Sequence, residues 1–357
     1  MPSLAHDSRG TTNVGKTLFS FVVDRHPKFA SMGYQLALSL RQHSCDDPAD
    51  IHVQFTESVP DEARRSFEAL GCTTHQIKPF GDGRFCNKLA QLGNLKDLDF
   101  SIVVLLDTDM IALDDLRPHL SNTELTAKVV DGPNPPLSVL RQVARLAGMR
   151  EEPQLIEVDA SSGLGLMSSS DGGKRAAHES PHKLAGRASM PAMIHLLRKP
   201  LMALRERVGS TRRHAGQDLT FVGNCNGGMY GIPKHLVEQV DTAWRYWALW
   251  LLQNIEPLKK ARKQTHVDQV AMWLAIHMGQ IPFRHAPSNI NYYLHFAGPH
   301  RWFDERSSIA LLHYHDSAVD SATGRLKAPP GASAMEQAAL SAANAQIDRS
   351  GRSAAWV

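Results

Sequence analysis

Apolar and polar positions alternate along the first third of the chain in a pattern typical of a layered α/β fold. Ile102–Leu106 is a run of five apolar residues, mostly β-branched, and predicts a strand buried on both faces of a sheet. Leu18–Val23 and Ile51–Phe55 predict two further strands. Amphipathic segments between them predict helices over 29–43, 60–71 and 87–95. The alternation predicts a Rossmann-like α/β/α sandwich with a mostly parallel central sheet.

Composition shifts divide the chain into parts. Residues 1–16 are polar and predict a flexible leader, 17–325 predict one main domain, and 326–357 predict a peripheral Ala-rich tail. Within the main domain, 150–215 reads as a basic insertion with serine and glycine, and its part 172–214 holds ten Lys/Arg and two Glu. Two interpretations stay open: a solvated surface segment, or a basic lip that contacts an anionic acceptor or a membrane surface.

Charge, apolar segments and cysteine usage indicate where in the cell the protein is located. The formal charge of +3 is small for 357 residues and argues neither for nor against nucleic acid. No nucleic-acid partner is expected. The first residues lack the apolar centre of a secretory signal, and no apolar run approaches the ~20 residues that span a bilayer. Four scattered cysteines predict free thiols in a reducing compartment. We therefore expect a cytoplasmic protein, with peripheral contact at the inner face of the membrane as a variant of that location.

Candidate chemistry lies where two predicted strands end. Asp107 and Asp109 follow the buried run directly, and side chains at i and i+2 point to the same side while strand geometry persists. Two converging carboxylates suit a hard divalent cation such as Mg²⁺ or Mn²⁺, and an acidic turn is the structural alternative. A late strand ends at His313 and His315, which offer imidazole ligands.

Together with the order of the other motifs, these residues resemble a GT-A nucleotide-sugar glycosyltransferase, closest to the retaining enzymes of glycosyltransferase family 8. Five short motifs resemble that family's motifs in its order: Asn87-Lys88-Leu89, Leu105-Leu106-Asp107-Thr108-Asp109, Asn226-Gly227-Gly228-Met229, His266-Val267-Asp268-Gln269 and Leu311-Leu312-His313-Tyr314. The resemblance implies three sets of site residues: metal ligands Asp107, Asp109 and His313; substrate-binding residues Val23, Asp24, Lys88, Asn226, Gly227 and Gly228; and catalytic residues Asp268 and Gln269.

The chain also departs from the family pattern. The family follows its metal histidine with a glycine and a lysine-proline-tryptophan group, whereas His313 is followed by Tyr314, His315 and Asp316. An imperfect version begins at His295, so His295 and His315 are rivals of His313 as ligand. Two purely structural roles also stay open: Lys88 could be a solvated surface lysine, and Asp268 could cap a helix.

The resemblance implies a metal-dependent transferase of hexosyltransferase type. It would move a sugar from a nucleoside-diphosphate sugar, with a UDP-sugar favoured, to an unknown hydroxyl acceptor that is anionic or membrane-associated in one interpretation. Mn²⁺ or Mg²⁺ would be the cofactor. Two other functions compete with it: a metal-dependent phosphoesterase or pyrophosphohydrolase, and a GT-A domain that binds nucleotide sugars without turnover. Retention or inversion at the sugar stays open.

Overall fold

The computed structural model describes residues 15–57, 59–158, 219–294, 300 and 302–351. The predicted leader, apart from its last two residues, most of the predicted insertion and the rival ligand His295 lie outside these residues. Within the described residues, no helix combines the length and apolar character needed to cross a membrane.

Twelve strands are present in the described residues, and they form three sheets. Their bounds are β1 Thr17–Val23, β2 Ile51–Thr56, β3 Thr73–Ile77, β4 Ile102–Leu106, β5 Met110–Ala112, β6 Leu125–Ala127, β7 Leu155–Glu157, β8 Leu219–Phe221, β9 Met229–Pro233, β10 Phe283–His285, β11 Tyr292–Tyr293 and β12 Leu311–His313.

Helices fill most of the connections. The α-helices are α1 Pro27–His43, α2 Asp61–Glu68, α3 Leu137–Leu146, α4 Val237–Gln253, α5 Glu256–Lys260, α6 Val267–Met278 and α7 Ala334–Ser350. The 3-10 helices are Pro48–Asp50, Phe85–Asn94, Arg117–His119, Lys234–Leu236, Gln264–His266, Ser288–Ile290 and Asp316–Ala318.

The central sheet has seven strands in the order β10-β6-β9-β4-β1-β2-β3. All neighbours pair in parallel except β9, which runs antiparallel to both β4 and β6. The predicted α/β sandwich with a mostly parallel sheet is therefore confirmed. Because β1 and β4 are parallel, their carboxyl ends meet at one edge, and the amino end of the antiparallel β9 lies at that same edge.

Strand β4 contributes to two hydrophobic cores, as its continuous apolar sequence predicts. Ile102, Val104 and Leu106 join a core beneath α1. Val103 and Leu105 face the opposite core, which is built with α4, α6 and the 3-10 helix Phe85–Asn94. Trp244 and Trp247 of α4 are buried in this second core, so the tryptophans at helical spacing serve packing.

A small sheet with the order β11-β12-β5 flanks the carboxyl edge of the central sheet. Its strand β5 begins at Met110, only four residues after the end of β4. His313 of β12 pairs with Met110, which sets the end of the late strand beside the turn that follows β4. Helix α7 packs against α1 and adds Leu340, Ala343 and Ile347 to the core of this region.

Candidate active site

Two sequence motifs far apart in the chain meet through one backbone hydrogen bond. The amide of Asp107 donates to the carbonyl of Gly228 at 2.9 Å, which extends the β4–β9 pairing by one residue beyond Leu106 and Met229. The side-chain oxygen of Asn226 accepts from the Gly228 amide at 2.9 Å and shapes the turn before β9. Strand pairing therefore brings the Asp107–Asp109 turn alongside the Asn226–Gly228 turn.

Lys88 lies at the centre of a cluster of charged groups. Its Nζ is 2.6 Å from Asp107 Oδ1 and 3.1 Å from Asp268 Oδ2, and it donates to the Gly227 carbonyl at 3.0 Å. Lys88 comes from the 3-10 helix Phe85–Asn94 and Asp268 from the first turn of α6, where no side chain caps the helix. The solvated-lysine and helix-cap alternatives therefore do not describe these two side chains.

Burial and neighbouring charge set the protonation of this cluster. Burial acts to lower the pKa of Lys88, but the carboxylates of Asp107 and Asp268 outweigh it and the pKa is raised. The pKa of Asp268 is also raised, because burial and the negative charge of Asp107 outweigh the attraction of Lys88. Lys88 is thus a permanent cation shared by two carboxylates.

Asp109 and His313 form the second part of the site. The backbone carbonyl of Asp109 accepts from the Tyr314 amide at 2.9 Å, and the side chains approach with His313 Nε2 3.4 Å from Asp109 Oδ1. Burial acts to raise the pKa of Asp109, but the neighbouring His313 outweighs it and the pKa is about 2. Asp109 is therefore ionised at neutral pH.

His313 is held in one orientation by an amide. With the ring tautomer assigned from its partners, Nδ1 donates to Asn291 Oδ1 at 2.9 Å, which leaves Nε2 directed at Asp109. The Asn291 amide nitrogen donates in turn to Asn226 Oδ1 at 3.3 Å. One hydrogen-bonded chain therefore links the imidazole to the turn at Gly228.

A buried ion pair supports Asn291 from behind. Lys128 Nζ donates to the Asn291 carbonyl at 2.8 Å and lies 2.6 Å from Asp131 Oδ2. His300 Nδ1 lies 2.9 Å from the other oxygen of Asp131. Burial lowers the pKa of Lys128, whereas Lys128 and His300 outweigh burial at Asp131 and lower its pKa. Through the bond from Lys128 to the Asn291 carbonyl, this buried pair fixes the segment that carries Asn291.

A metal-ligand cluster is present at the same edge. Asp109, His313 and His315 each place one potential ligand atom within 4.8 Å of the other two. In the part of the chain that the structure describes, these three residues form the group that could hold a metal ion. Carboxylate oxygen and imidazole nitrogen suit Mn²⁺ and other first-row divalent ions, and Asn291 supplies the outer hydrogen bond that such ligands require. The donor set therefore fits a divalent cation. Asp107 is close in sequence, but its Oδ1 is engaged by Lys88.

Two glycines keep the centre open. A Cβ atom at Gly228 would lie 2.6 Å from the Met110 methyl carbon and 2.8 Å from His313 Nδ1. A Cβ atom at Gly227 would lie 3.2 Å from Asp268 Oδ2 and 3.4 Å from Lys88 Nζ. At Gly228 only glycine leaves the imidazole in its position, whereas at Gly227 the added atom is tight only against Asp268.

Three other predicted residues lie at the margin of this centre. Asp24 accepts from Thr56 Oγ1 and from Asn87 Nδ2, each at 3.0 Å, and Asn87 is the chain neighbour of Lys88. The side chain of Val23 is fully buried in the core. Gln269 Nε2 is engaged by the Asn134 carbonyl at 2.8 Å and by the Asn224 side chain at 3.0 Å. The structure therefore brings Asp268, but not the Gln269 amide nitrogen, to Lys88.

Sequence reasoning missed Asn291, Tyr293 and the group formed by Lys128, Asp131 and His300. Asn291 directly precedes β11 and Tyr293 is its second residue, and this two-residue strand is too short to show a periodic pattern. The Lys128–Asp131 spacing of three residues is the one local signal for the ion pair.

The chain was compared with protein-family models, with curated proteins and with solved structures. No protein-family model matches the chain, and no curated protein matches it. Among solved structures, the chain is similar to the galactosyltransferase LgtC in complex with donor and acceptor sugar analogs, with 13% identity, coverage of 93% of this chain and 95% of that chain, and a TM-score of 0.44. It is similar to apo mouse xyloside xylosyltransferase 1, with 10% identity, coverage of 85% and 98%, and a TM-score of 0.43.

A third similar structure is the apo form of WbbM, a bifunctional glycosyltransferase, with 12% identity, coverage of 86% of this chain and 46% of that chain, and a TM-score of 0.41. At identities of 10–13% and TM-scores of 0.41–0.44, the case for a function depends on the side chains at the edge of the sheet.

Proposed function

We propose that this chain is a metal-dependent glycosyltransferase that resembles the GT-A enzymes of family 8. It moves a sugar, of hexose type, from a nucleoside-diphosphate sugar to a hydroxyl acceptor, and a UDP-sugar is the favoured donor. The observation that carries the proposal is the meeting of the Asp109–His313 pair with the Lys88–Asp107–Asp268 cluster at one edge of the sheet. Residues 17–325 form the proposed catalytic domain.

The charge of the centre supports metal dependence. Asp107, Asp109 and Asp268 bring three carboxylates to the edge, and Lys88 contacts two of them. A diphosphate would be repelled by this excess of negative charge. Asp109 and His313 would hold Mn²⁺ or Mg²⁺, with Asp107 beside them, and the bound cation would neutralise the charge that develops on the departing diphosphate.

The protein groups around the sugar have separable tasks. Transfer breaks the bond between the anomeric carbon and the diphosphate oxygen, forms a bond from the acceptor oxygen to that carbon, and releases the hydroxyl proton. Asp268, whose pKa is raised, would take this proton in an inverting transfer or hydrogen-bond the donor sugar in a retaining one. Lys88 bridges Asp107 and Asp268. Asn226, Gly227 and Gly228 would line the side nearest the sugar. Gln269 lies next to Asp268 and would steady this turn. Asp24 would lie at the base and ribose, with Val23 packed in the core behind it.

The acceptor is proposed from sequence alone. The ten basic residues in 172–214 favour an anionic or membrane-associated hydroxyl compound over a neutral one. A two-metal phosphoesterase would need a second ligand cluster, and the described residues hold the single cluster around Asp109.

The test is an assay of nucleoside-diphosphate release with a panel of sugar nucleotides, in Mn²⁺ and in EDTA. We expect release in Mn²⁺, its loss in EDTA, and a loss of at least about 100-fold in Asp109→Ala with the fold retained. Asp97→Ala is the matched control, because Asp97 is an exposed aspartate before β4, and it should keep wild-type activity. Release of nucleoside monophosphate would identify a pyrophosphohydrolase instead, and saturable nucleotide binding without turnover would identify a binding domain.

A further inference from the structure

We infer that the cation of this site is held by Asp109, His313 and His315 together, and that this set selects a first-row transition metal over Mg²⁺. The role of this cation in catalysis rests on the proposed function, but the ligand set is argued from the positions of the side chains alone. It assigns His315 as a ligand and leaves Asp107 as a partner of Lys88.

The three side chains converge without rearrangement. One ligand atom from each lies within 4.8 Å of the others. His313 is the last residue of β12, and His315 follows it two positions later. Their rings are nearly parallel, with centroids 5.7 Å apart and an angle of 16° between the planes. Asp109 faces them from the turn after β4.

Strand β11 orients both imidazoles. The ring of Tyr293 meets His313 and His315 edge to face, with centroid distances of 5.0 Å to each and angles of 84° and 82°. The Tyr293 hydroxyl also forms a hydrogen bond with Nε2 of His315. Asn291, two residues earlier, accepts from Nδ1 of His313. Each imidazole is thus hydrogen-bonded by a residue of the same short segment, in the way that metal-ligating histidines are usually held in orientation.

Asp107 is committed to another partner. Its Oδ1 accepts from Lys88 at 2.6 Å, a charge-assisted bond that recruitment as a ligand would weaken. The resulting donor set has two imidazole nitrogens and one carboxylate. Mg²⁺ prefers oxygen ligands in strict octahedral geometry, whereas imidazole binds Mn²⁺, Co²⁺ and Zn²⁺ with affinity that generally rises from Mn²⁺ to Co²⁺.

The experiment is calorimetric titration of the full chain with MgCl₂, MnCl₂, CoCl₂ and ZnCl₂, with no sugar nucleotide present. We expect the wild type to bind Co²⁺ at least about 100-fold more tightly than Mg²⁺. His315→Ala should weaken Co²⁺ and Zn²⁺ binding by about 10–100-fold and change the visible absorption of the Co²⁺ form. Tyr293→Phe should weaken Co²⁺ binding in the same direction, because it removes the hydrogen bond to His315.

Controls separate ligation from misfolding. His315 is exposed, so His315→Ala should keep the wild-type melting temperature without metal, and His235→Ala, also at an exposed histidine, should keep wild-type Co²⁺ affinity. Asp107→Asn should weaken Co²⁺ binding less than His315→Ala does, because it removes a neighbouring charge and no ligand, and it should leave the visible absorption of the Co²⁺ form unchanged. Unchanged Co²⁺ binding in His315→Ala, a changed Co²⁺ absorption in Asp107→Asn, or equal wild-type affinity for Mg²⁺ and Co²⁺ would each overturn the inference.

The two proposals fail separately. Co²⁺ binding that depends on His315, without release of nucleoside diphosphate from any sugar nucleotide, supports the metal site and refutes the transferase. Metal-dependent release combined with Co²⁺ binding that ignores His315 supports the transferase and refutes this ligand set.

Discussion

Substitution of Gly228 by alanine tests the geometry of the centre most directly. The added Cβ atom would lie 2.6 Å from the Met110 methyl carbon, 2.7 Å from His313 Cε1 and 2.8 Å from His313 Nδ1. Ordinary contacts between such atoms are about 3.5–4.0 Å, so the imidazole must retreat by roughly 0.7–1.3 Å. The retreat strains the bond from Nδ1 to Asn291 and moves Nε2 away from Asp109.

The expected cost follows from these distances. Overpacking of a close-packed site costs about 1–3 kcal/mol of stability. A misplacement near 1 Å lowers turnover by about 100-fold. We therefore expect Gly228→Ala to fold with a lowered melting temperature, to bind Mn²⁺ more weakly in a calorimetric titration, and to release nucleoside diphosphate about 100 times more slowly.

Alanine substitutions at two other glycines show whether the effect depends on contact with a metal ligand. Gly227→Ala meets Asp268 Oδ2 at 3.2 Å and should have a smaller effect on Mn²⁺ affinity, because its neighbours are not metal ligands. Gly93→Ala is the control, since its nearest atom is Arg245 Nη2 at an ordinary 3.6 Å. Wild-type Mn²⁺ affinity and turnover in Gly228→Ala would refute the reasoning, because His313 would then not occupy the position described.

Three other substitutions probe the charges. Lys88→Met should lower the free energy of unfolding by about 1–3 kcal/mol, measured by urea denaturation, because it leaves the buried carboxylate of Asp268 without a cation. Lys128→Met should cost more, about 3–5 kcal/mol in the same assay, because Lys128 and Asp131 are both fully enclosed. Burial lowers the pKa of His52 from 6.5 to about 4. The unfolded chain therefore binds more protons than the folded protein between these pH values, and stability is lost as the pH falls from about 6.5 to 4. The substitution His52→Gln should reduce that loss by about 2–3 kcal/mol, measured by thermal melting across this pH range.

Exposed positions supply the controls for these three. Lys96→Met should leave the free energy of unfolding unchanged, since Lys96 is on the surface, and His235→Gln should keep the wild-type dependence of stability on pH. Equal stability of Lys88→Met and Lys96→Met would mean that the carboxylates do not depend on Lys88. A pH profile of His52→Gln that follows the wild type would place the acid sensitivity elsewhere.

The fold was predictable from the sequence because its main strands are encoded locally. Ile102–Leu106 and Leu18–Val23 are apolar on both faces, and such runs belong in a sheet covered by helices on two sides. The turn Asp107–Asp109 was predictable for the same reason, because polar residues directly after a buried strand must lie at its carboxyl edge. The antiparallel insertion of β9 beside β4 was not, since nothing local in Met229–Pro233 specifies a partner.

The surroundings of the site depend on contacts between residues far apart in sequence. Lys88 reaches Asp268 across 180 positions, and Asn291 reaches Asn226 across 65. Pairings of this kind are set by the tertiary fold, and neither residue carries a local pattern that names its partner. The roles predicted for the metal ligands and for Asp268 and Gln269 stay predictions, with His313 still the preferred imidazole ligand.

Residues 107–110 join the two sheets, and this junction divides the site into parts with separate foundations. The Gly228 side is fixed by the pairing of β4 and β9 in the large sheet, whereas Tyr293 and His313 belong to the small sheet and Asn291 directly precedes its strand β11. The two parts meet where Asn291 donates to Asn226 and where Gly228 lies against the His313 ring. Engineering of the metal preference should accordingly shift the donor preference as well, because both pass through contacts on the two sides of one four-residue turn.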